Sequence, residues 1–569
     1  MGNYVSEIKL NLKNAYYHKA YVLLLSLTAL CGYGFKVMNP TMGIDDTPYA
    51  YYFEEGLAAV VGRWVLFLLN KVFHISDFAP FITDFVAVLI FMLAVTVWGT
   101  LFYSVLGERI PKWGYWLFSC IFLSSPLIAE VFTYYLHNGV AIGYLFSGVS
   151  LNLLRLGLND LVDKRSKKAA WGLSGAMAAM VVAMGCYESF MIVWLVGVML
   201  LLLAERLAGC GRKAFGKLVC AAVVAVAAMV VRSVVLEIVI AVFGLSGLRD
   251  EAVLRSVSEM LGWMTQPGAW ADFAMILKRI YVMYGVFAYA YYPIKIFVLA
   301  SAVILLFSLW RTVKQRDGWI LILAVGTFVA SFLLAVVEGA ATLYRSAQFL
   351  PLVCGFGMLL TVYAVKGFCD VLQQKTAKGS IAKWRVVAAK TSQIVLGVVA
   401  ASILWNQCTD LNKWFYVDYN KYQYAKEYMS QVAYALKADY DLGKPVIFTG
   451  EWENPKSIVK DAYVAIGSET YFKMKRVTDP VDENLLEKFY RPYGVWVAQT
   501  PSLSVVSWGK NAFGTDKELV RFMAHHGYAV RPRVDATYYE EAERYSLSMP
   551  SFPEEGSIED RGAYIIVHF

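Results

Sequence analysis

Apolar runs of about twenty residues recur along this chain, separated by short clusters of charge, and they constrain the fold more than any other feature. A helix needs roughly 20 residues to cross a hydrocarbon core of about 30 Å. No water reaches the backbone there, so spanning segments are helices or a closed barrel. The runs lack the period-two alternation of barrel strands, which leaves helices. Only 17% of the 569 residues are charged and 58% are hydrophobic, whereas a soluble domain is nearer a quarter charged. The net charge is +8, but the basic residues concentrate in the loops between runs, where membrane topology puts them. Nucleic acid is therefore not an implied partner.

The pattern predicts a polytopic α-helical membrane protein with about eleven spans. These cover 20–38, 78–106, 114–129, a run ending near Leu158, 169–185, and a run ending near Leu203. A seventh leaves Leu218 and exits near Arg232, with an amphipathic continuation outside to Phe243; the rest cover 293–310, 319–337, 349–365 and a run ending near Trp405. Lys9, Lys13 and Lys19, then Arg109 and Lys112, Lys164 to Lys168, Arg206 to Lys217, Arg311 to Arg316 and Lys366 to Lys390 fall on alternate loops. The positive-inside rule then puts the amino terminus in the cytoplasm and the carboxyl terminus outside. The first apolar run is too long for a cleavable signal and reads as an anchor.

From residue 406 the charge is mixed and no run could span. Lys421 to Tyr440 has helical spacing; Pro445 to Thr449, followed by Gly450, reads as a strand. Asp516 to His526 reads as a helix stopped by Gly527, and Ala563 to Phe569 as a closing strand. The expected division is a membrane domain over 1–405, with outer loops 39–77 and 244–292, and a small extracytoplasmic α/β domain over 406–569. The eight cysteines form no CxxC pair, and Cys408, nearest the outer domain, has no partner there. No metal or cofactor motif is indicated, although paired carboxylates are compatible with a divalent ion. No internal repeat is evident.

The outer face collects the residues able to do chemistry. Asp45 and Asp46 follow the first span closely, and a carboxylate pair supplies a general base, a metal ligand or both. Local structure competes: Asp46 or Thr47 can cap a helix with Pro48 in its first turn, running to Glu55 and stopping at Gly56. Glu54 and Glu55 fit a solvated helix face or a site. Arg63, in Gly62-Arg63-Trp64, opens an apolar stretch too short to span, which suits the interface; it can bind a lipid phosphate or snorkel. Glu130, His137 and Glu188 sit at outer span ends, where a carboxylate must be paired or wet. Glu188, beside Tyr187, interrupts an otherwise apolar hairpin. Arg232, Lys295 and Arg345 are outer cations, and arginine suits phosphate best.

An acidic pair opening the loop after the first span resembles the GT-C class of membrane glycosyltransferases. The text MGIDDTPYAYYFEEG, followed by GRW, is similar to the bacterial GtrII-like glucosyltransferase family. The resemblance implies a GT-C-like membrane domain that takes a sugar, glucose in this family, from a polyprenyl-phosphate carrier. The sugar goes to a cell-surface glycan on the outer leaflet with inversion. It implies Asp46 or Asp45 as the base, Arg345 and Arg232 as holders of the departing phosphate, and Glu188 as an orienting group. The C-terminal domain departs from the family pattern.

Three other readings compete, and one of them, a non-catalytic membrane scaffold presenting its soluble domain, would not need acidic and basic groups converging at one membrane surface. A transporter or flippase needs ionisable groups at mid-membrane on broken helices, whereas here they cluster at the outer ends. A polysaccharide polymerase or ligase shares the lipid phosphate but takes a lipid-linked oligosaccharide.

Overall fold

The computed structural model describes residues 2–41, 56–73, 80–133, 137–211, 213–249, 262–281, 284, 292–338, 346–374, 380–450, 516–532 and 536–569. Helices dominate. An amphipathic helix α1 (Gly2–Tyr16) precedes α2 (Lys19–Met38). Two short helices, α3 (Gly56–Val60) and α4 (Trp64–Phe73), lead to α5 (Pro80–Leu106) and α6 (Lys112–Leu123). A 3-10 stretch, Pro126–Thr133, leads to α7 (His137–Val162), α8 (Ser166–Cys186), α9 (Phe190–Leu207) and α10 (Ala214–Val242). Then come α11 (Ala269–Tyr281), α12 (Tyr292–Gln315), α13 (Gly318–Ser331), α14 (Leu333–Glu338), α15 (Leu350–Gln374) and α16 (Ser380–Asp439). Among the described residues, nine helices are long and apolar enough to cross a membrane.

The expected spans correspond to helices, with physical differences at four places. The third is a 12-residue helix, α6, that gives way at Ser124 to the 3-10 stretch. The ninth breaks at Phe332 into α13 and α14. The seventh passes Arg232 without a break: the continuation expected to Phe243 is part of the same helix, α10, to Val242, with Val239 and Ile240 buried. The eleventh does not end at Trp405, because α16 is one helix of 60 residues, about 90 Å at 1.5 Å per residue. Cys408 lies inside this helix, buried against α2 with its thiol toward the Thr28 carbonyl.

Several polar groups within the bundle find partners inside it, since lipid offers none. The Trp98 indole donates to the Tyr144 carbonyl (2.9 Å), Tyr144 to the Gln348 carbonyl (2.5 Å) and Tyr33 to the Leu123 carbonyl (2.8 Å). α7 and α8 approach most closely at Gly157 and Gly172, where a Cβ on Gly172 would lie 2.7 Å from the Gly157 Cα. Small residues bring helix backbones together in this way.

The bundle has two unlike ends. One gathers the basic residues and closes them. Lys217 meets Glu205 at 2.7 Å, Arg206 meets Asp317 at 3.1 Å and Arg155 meets Glu7 of α1 at 2.6 Å. Arg109, Arg311 and Lys366 donate to the carbonyls of Ala208, Leu207 and Glu108. The far end holds the close of α2, the α8–α9 turn and the start of α15.

Beyond the bundle, the second half of α16 packs on a four-stranded sheet of order β2-β1-β4-β3. Its strands are β1 (Pro445–Thr449), β2 (Arg531–Pro532), β3 (Ile558–Asp560) and β4 (Ile565–His568). β1 runs parallel to β2 and β4, and β3 is antiparallel to β4. Helix α17 (Asp516–His525) ends before Gly527, whose φ of 88° suits a stop; α18 (Ala536–Ser546) follows.

Candidate active site at the far end

Three residues well apart in the chain meet at the far end. α3 closes in a tight reversal: Gly62 N–H donates to the Ala59 carbonyl and Arg63 N–H to that of Ala58, the pattern of a Schellman cap. The cap needs a left-handed residue, and Gly62 has φ 89°. A Cβ there would also lie 2.3 Å from both Arg232 Nη2 and Glu188 Oε1, so the two side-chain ends would have to shift. Gly62 thus forms the floor against which an ion pair rests.

The pair comes from two other helices. α8 ends at Tyr187, whose φ of −163° and ψ of 133° are extended, and α9 begins at Phe190. Glu188 projects from this turn. Its carboxylate accepts from Arg232 Nη2 at 2.6 Å, and the Gly62 carbonyl accepts from the same nitrogen at 3.0 Å. Arg232 lies 18 residues into α10, about 27 Å from the basic end and so near one membrane thickness. The Glu188 side chain is 46% exposed and that of Arg232 18%. Such a pair contributes only about 0–1 kcal/mol to stability, so its geometry matters more than its strength.

Arg63 lies beside the pair. Its guanidinium stacks 4.5 Å from the centre of the Tyr187 ring, an attraction of about 0.5–2 kcal/mol. No carboxylate of the described residues pairs with it, and its Nε is buried without a hydrogen-bond partner, as are Arg232 Nε and Ser189 Oγ. Arg63 is held by its stem and ring contact with donor capacity to spare, while Arg232 is already committed to Glu188. The arrangement can hold an anion against Arg63 and offers Glu188 to hydroxyl groups.

Of the residues singled out by sequence, Arg63, Glu188 and Arg232 are brought together. Asp45, Asp46, Glu54, Glu55 and Arg345 lie outside the described residues. His137 opens α7, and its side chain, like that of Glu130, also lies outside them. Gly56 is not a helix stop: it is helical, in α3, with Leu245 and Leu248 packed where its Cβ would be. Lys295 is exposed on α12. No group of three or more histidine, cysteine or acidic residues fit for a metal occurs among the described residues.

Sequence reading missed Lys36, Thr41 and Asp418, which form a buried polar cluster at this end. A lysine near a span end reads as snorkelling, and an aspartate beyond the last apolar run reads as solvated. Only the length of α16 reveals otherwise.

The fold is that of a polytopic helical bundle with helices apolar and long enough to cross a membrane. The family model for glucosyl transferase GtrII matches residues 34–362, more than half of the chain. The chain belongs to that family, and its activity class is glucosyl transfer. No curated protein and no solved structure matches it.

Proposed function

We propose that this protein is an inverting glucosyltransferase that moves glucose from a polyprenyl-phosphate carrier to a cell-surface glycan at the outer face of the membrane. Two arguments orient it. The basic end carries the lysines and arginines that the positive-inside rule keeps in the cytoplasm, so the far end faces out. Eleven spans, with α6 and α13–α14 as the short ones, then put the C-terminal α/β region outside as well.

The observation that carries the reading is the Arg63–Glu188–Arg232 cluster around Gly62. A lipid phosphate leaves with negative charge, and a cation beside the breaking bond stabilises that charge in the transition state. Arg63, stacked on Tyr187 and uncommitted, takes the phosphate. Arg232, fixed by Glu188 and Gly62, adds positive potential beside it, and Arg345 is a further cation for the same role. The free face of Glu188 orients sugar hydroxyls. Asp46, with Asp45 as its neighbour, takes the proton from the acceptor hydroxyl. The acceptor oxygen then bonds to the anomeric carbon while the bond to the phosphate oxygen breaks, its electron pair leaving on the phosphate.

The test is incubation of the purified protein with radiolabelled polyprenyl-phosphate sugars and candidate surface glycans. Transfer of label from the glucose donor is the expected result. Absence of transfer from every such donor removes the reading.

A further inference from the structure

The last turn of α2 meets α16 through a buried polar cluster. The Lys36 ammonium donates to the Thr41 hydroxyl at 2.8 Å and toward its carbonyl at 3.5 Å. The Thr41 hydroxyl donates to the Asp418 carboxylate. Lys36 and Thr41 are each 4% exposed and Asp418 0%.

A lysine in the last turn of a helix is ordinary, since the macrodipole and terminal carbonyls favour it there. That explains Lys36. It does not explain a carboxylate wholly out of water, brought from 377 residues away. Each buried charge costs several kcal/mol unless its geometry is good. Apolar or neutral contact would join the helices at less cost, and elsewhere the same pair is joined without charge: Gly32 faces Leu411, the Phe35 ring meets Tyr416 and Tyr419 edge-on, and Cys408 and Asn412 donate to the carbonyls of Thr28 and Cys31. A hydroxyl placed between cation and carboxylate adds direction, because both hydrogen bonds are angle-dependent and fix one rotamer.

We propose that Lys36, Thr41 and Asp418 are positioning residues for glucosyl transfer, clasping the outgoing end of α2 to α16 so that the chain leaves the bundle at one place and angle. The proposal rests on the reading above, in which the base, Asp46, follows Thr41 by five residues. It also gives α16 a role. The family match ends at residue 362, and the clasp ties the matched part to the helix that carries the C-terminal sheet.

Thr41→Val keeps the shape of the side chain and removes both hydrogen bonds, whereas Thr41→Ser keeps them. In the full-length protein, Thr41→Val is expected to lower kcat by at least about tenfold with donor KM within about twofold, and Thr41→Ser to restore it. Asp418→Asn should match Thr41→Val, and it replaces that variant if Thr41→Val does not fold. A second measurement needs no substrate: amide hydrogen exchange over residues 36–41 should rise in Thr41→Val and not in Thr41→Ser. Unchanged exchange in Thr41→Val overturns the clasp, as does a Thr41→Ser protein as slow as Thr41→Val. Faster exchange in Thr41→Val with no transfer by the wild type would defeat the transferase reading while upholding the clasp.

Discussion

The two ends of the bundle are built from the same residue types to opposite purposes. At the basic end, charges close on one another: Lys217 and Glu205 are nearly fully buried and meet at 2.7 Å, and Lys217 also donates to Asn159. Arginines there finish the carbonyls of helix ends. At the far end, Arg63 pairs with no carboxylate of the described residues and stacks on Tyr187, and Arg232 meets the half-exposed Glu188 over Gly62. The difference between the ends lies in the carboxylates: Arg155 and Arg206 have them, whereas Arg63 has none among the described residues and rests on a ring.

The contrast can be broken by substitution. The largest effect is expected at the proposed base: Asp46→Asn, with Asp45→Asn as companion, should lower kcat by about 10³-fold and leave expression and thermal unfolding unchanged. Full activity in the double variant would remove the assignment. At the basic end, Lys217→Met strands the Glu205 carboxylate, and a loss of about 3–5 kcal/mol of stability is expected. The protein that remains folded should show an unaltered donor KM. Arg63→Ala should do the reverse, raising donor KM by about tenfold or more with little change in unfolding, and Arg63→Lys should recover part of the loss. Equal effects of Lys217→Met and Arg63→Ala on KM would erase the distinction between the ends.

The smallest effect separates the bundle from the sheet region. His526 Nδ1–H donates to the Phe522 carbonyl (2.8 Å), so Nε2 of the neutral ring accepts from the Tyr422 hydroxyl (3.1 Å), and burial pushes its imidazole below the usual 6.5. The unfolded chain then binds the proton at higher pH than the folded one. Stability is complete above about 6.5 and is lost as pH falls through that value toward the folded one. Thermal unfolding of the sheet region followed against pH should show this loss, and His526→Gln should flatten it.

Much of the bundle was legible in the sequence because lipid imposes one simple rule, length and apolarity, on every span. The rule fails where packing takes over. Arg232 marks a span exit, and the continuation expected beyond it stays in α10, where Val239 and Ile240 are buried. Trp405 looks like another, yet α16 continues because its second half is the base of the sheet. At the site, Glu188 and Arg232 stood out as charges in apolar surroundings, and Arg63 as the opening of an interfacial stretch. Their meeting at Gly62 depends on the register of three helices, which residue spacing does not encode. Lys36 and Asp418 stayed hidden because each looks solvated until its partner is placed.

Everything assigned to the far end requires that it face external water. Cysteine placed at Glu188, which is exposed, can be compared with the native Cys210, exposed at the basic end, using a membrane-impermeant maleimide applied to either face. Labelling of position 188 from outside and of Cys210 from the cytosol is the expected result. Labelling of position 188 from the cytosol would contradict the proposed chemistry.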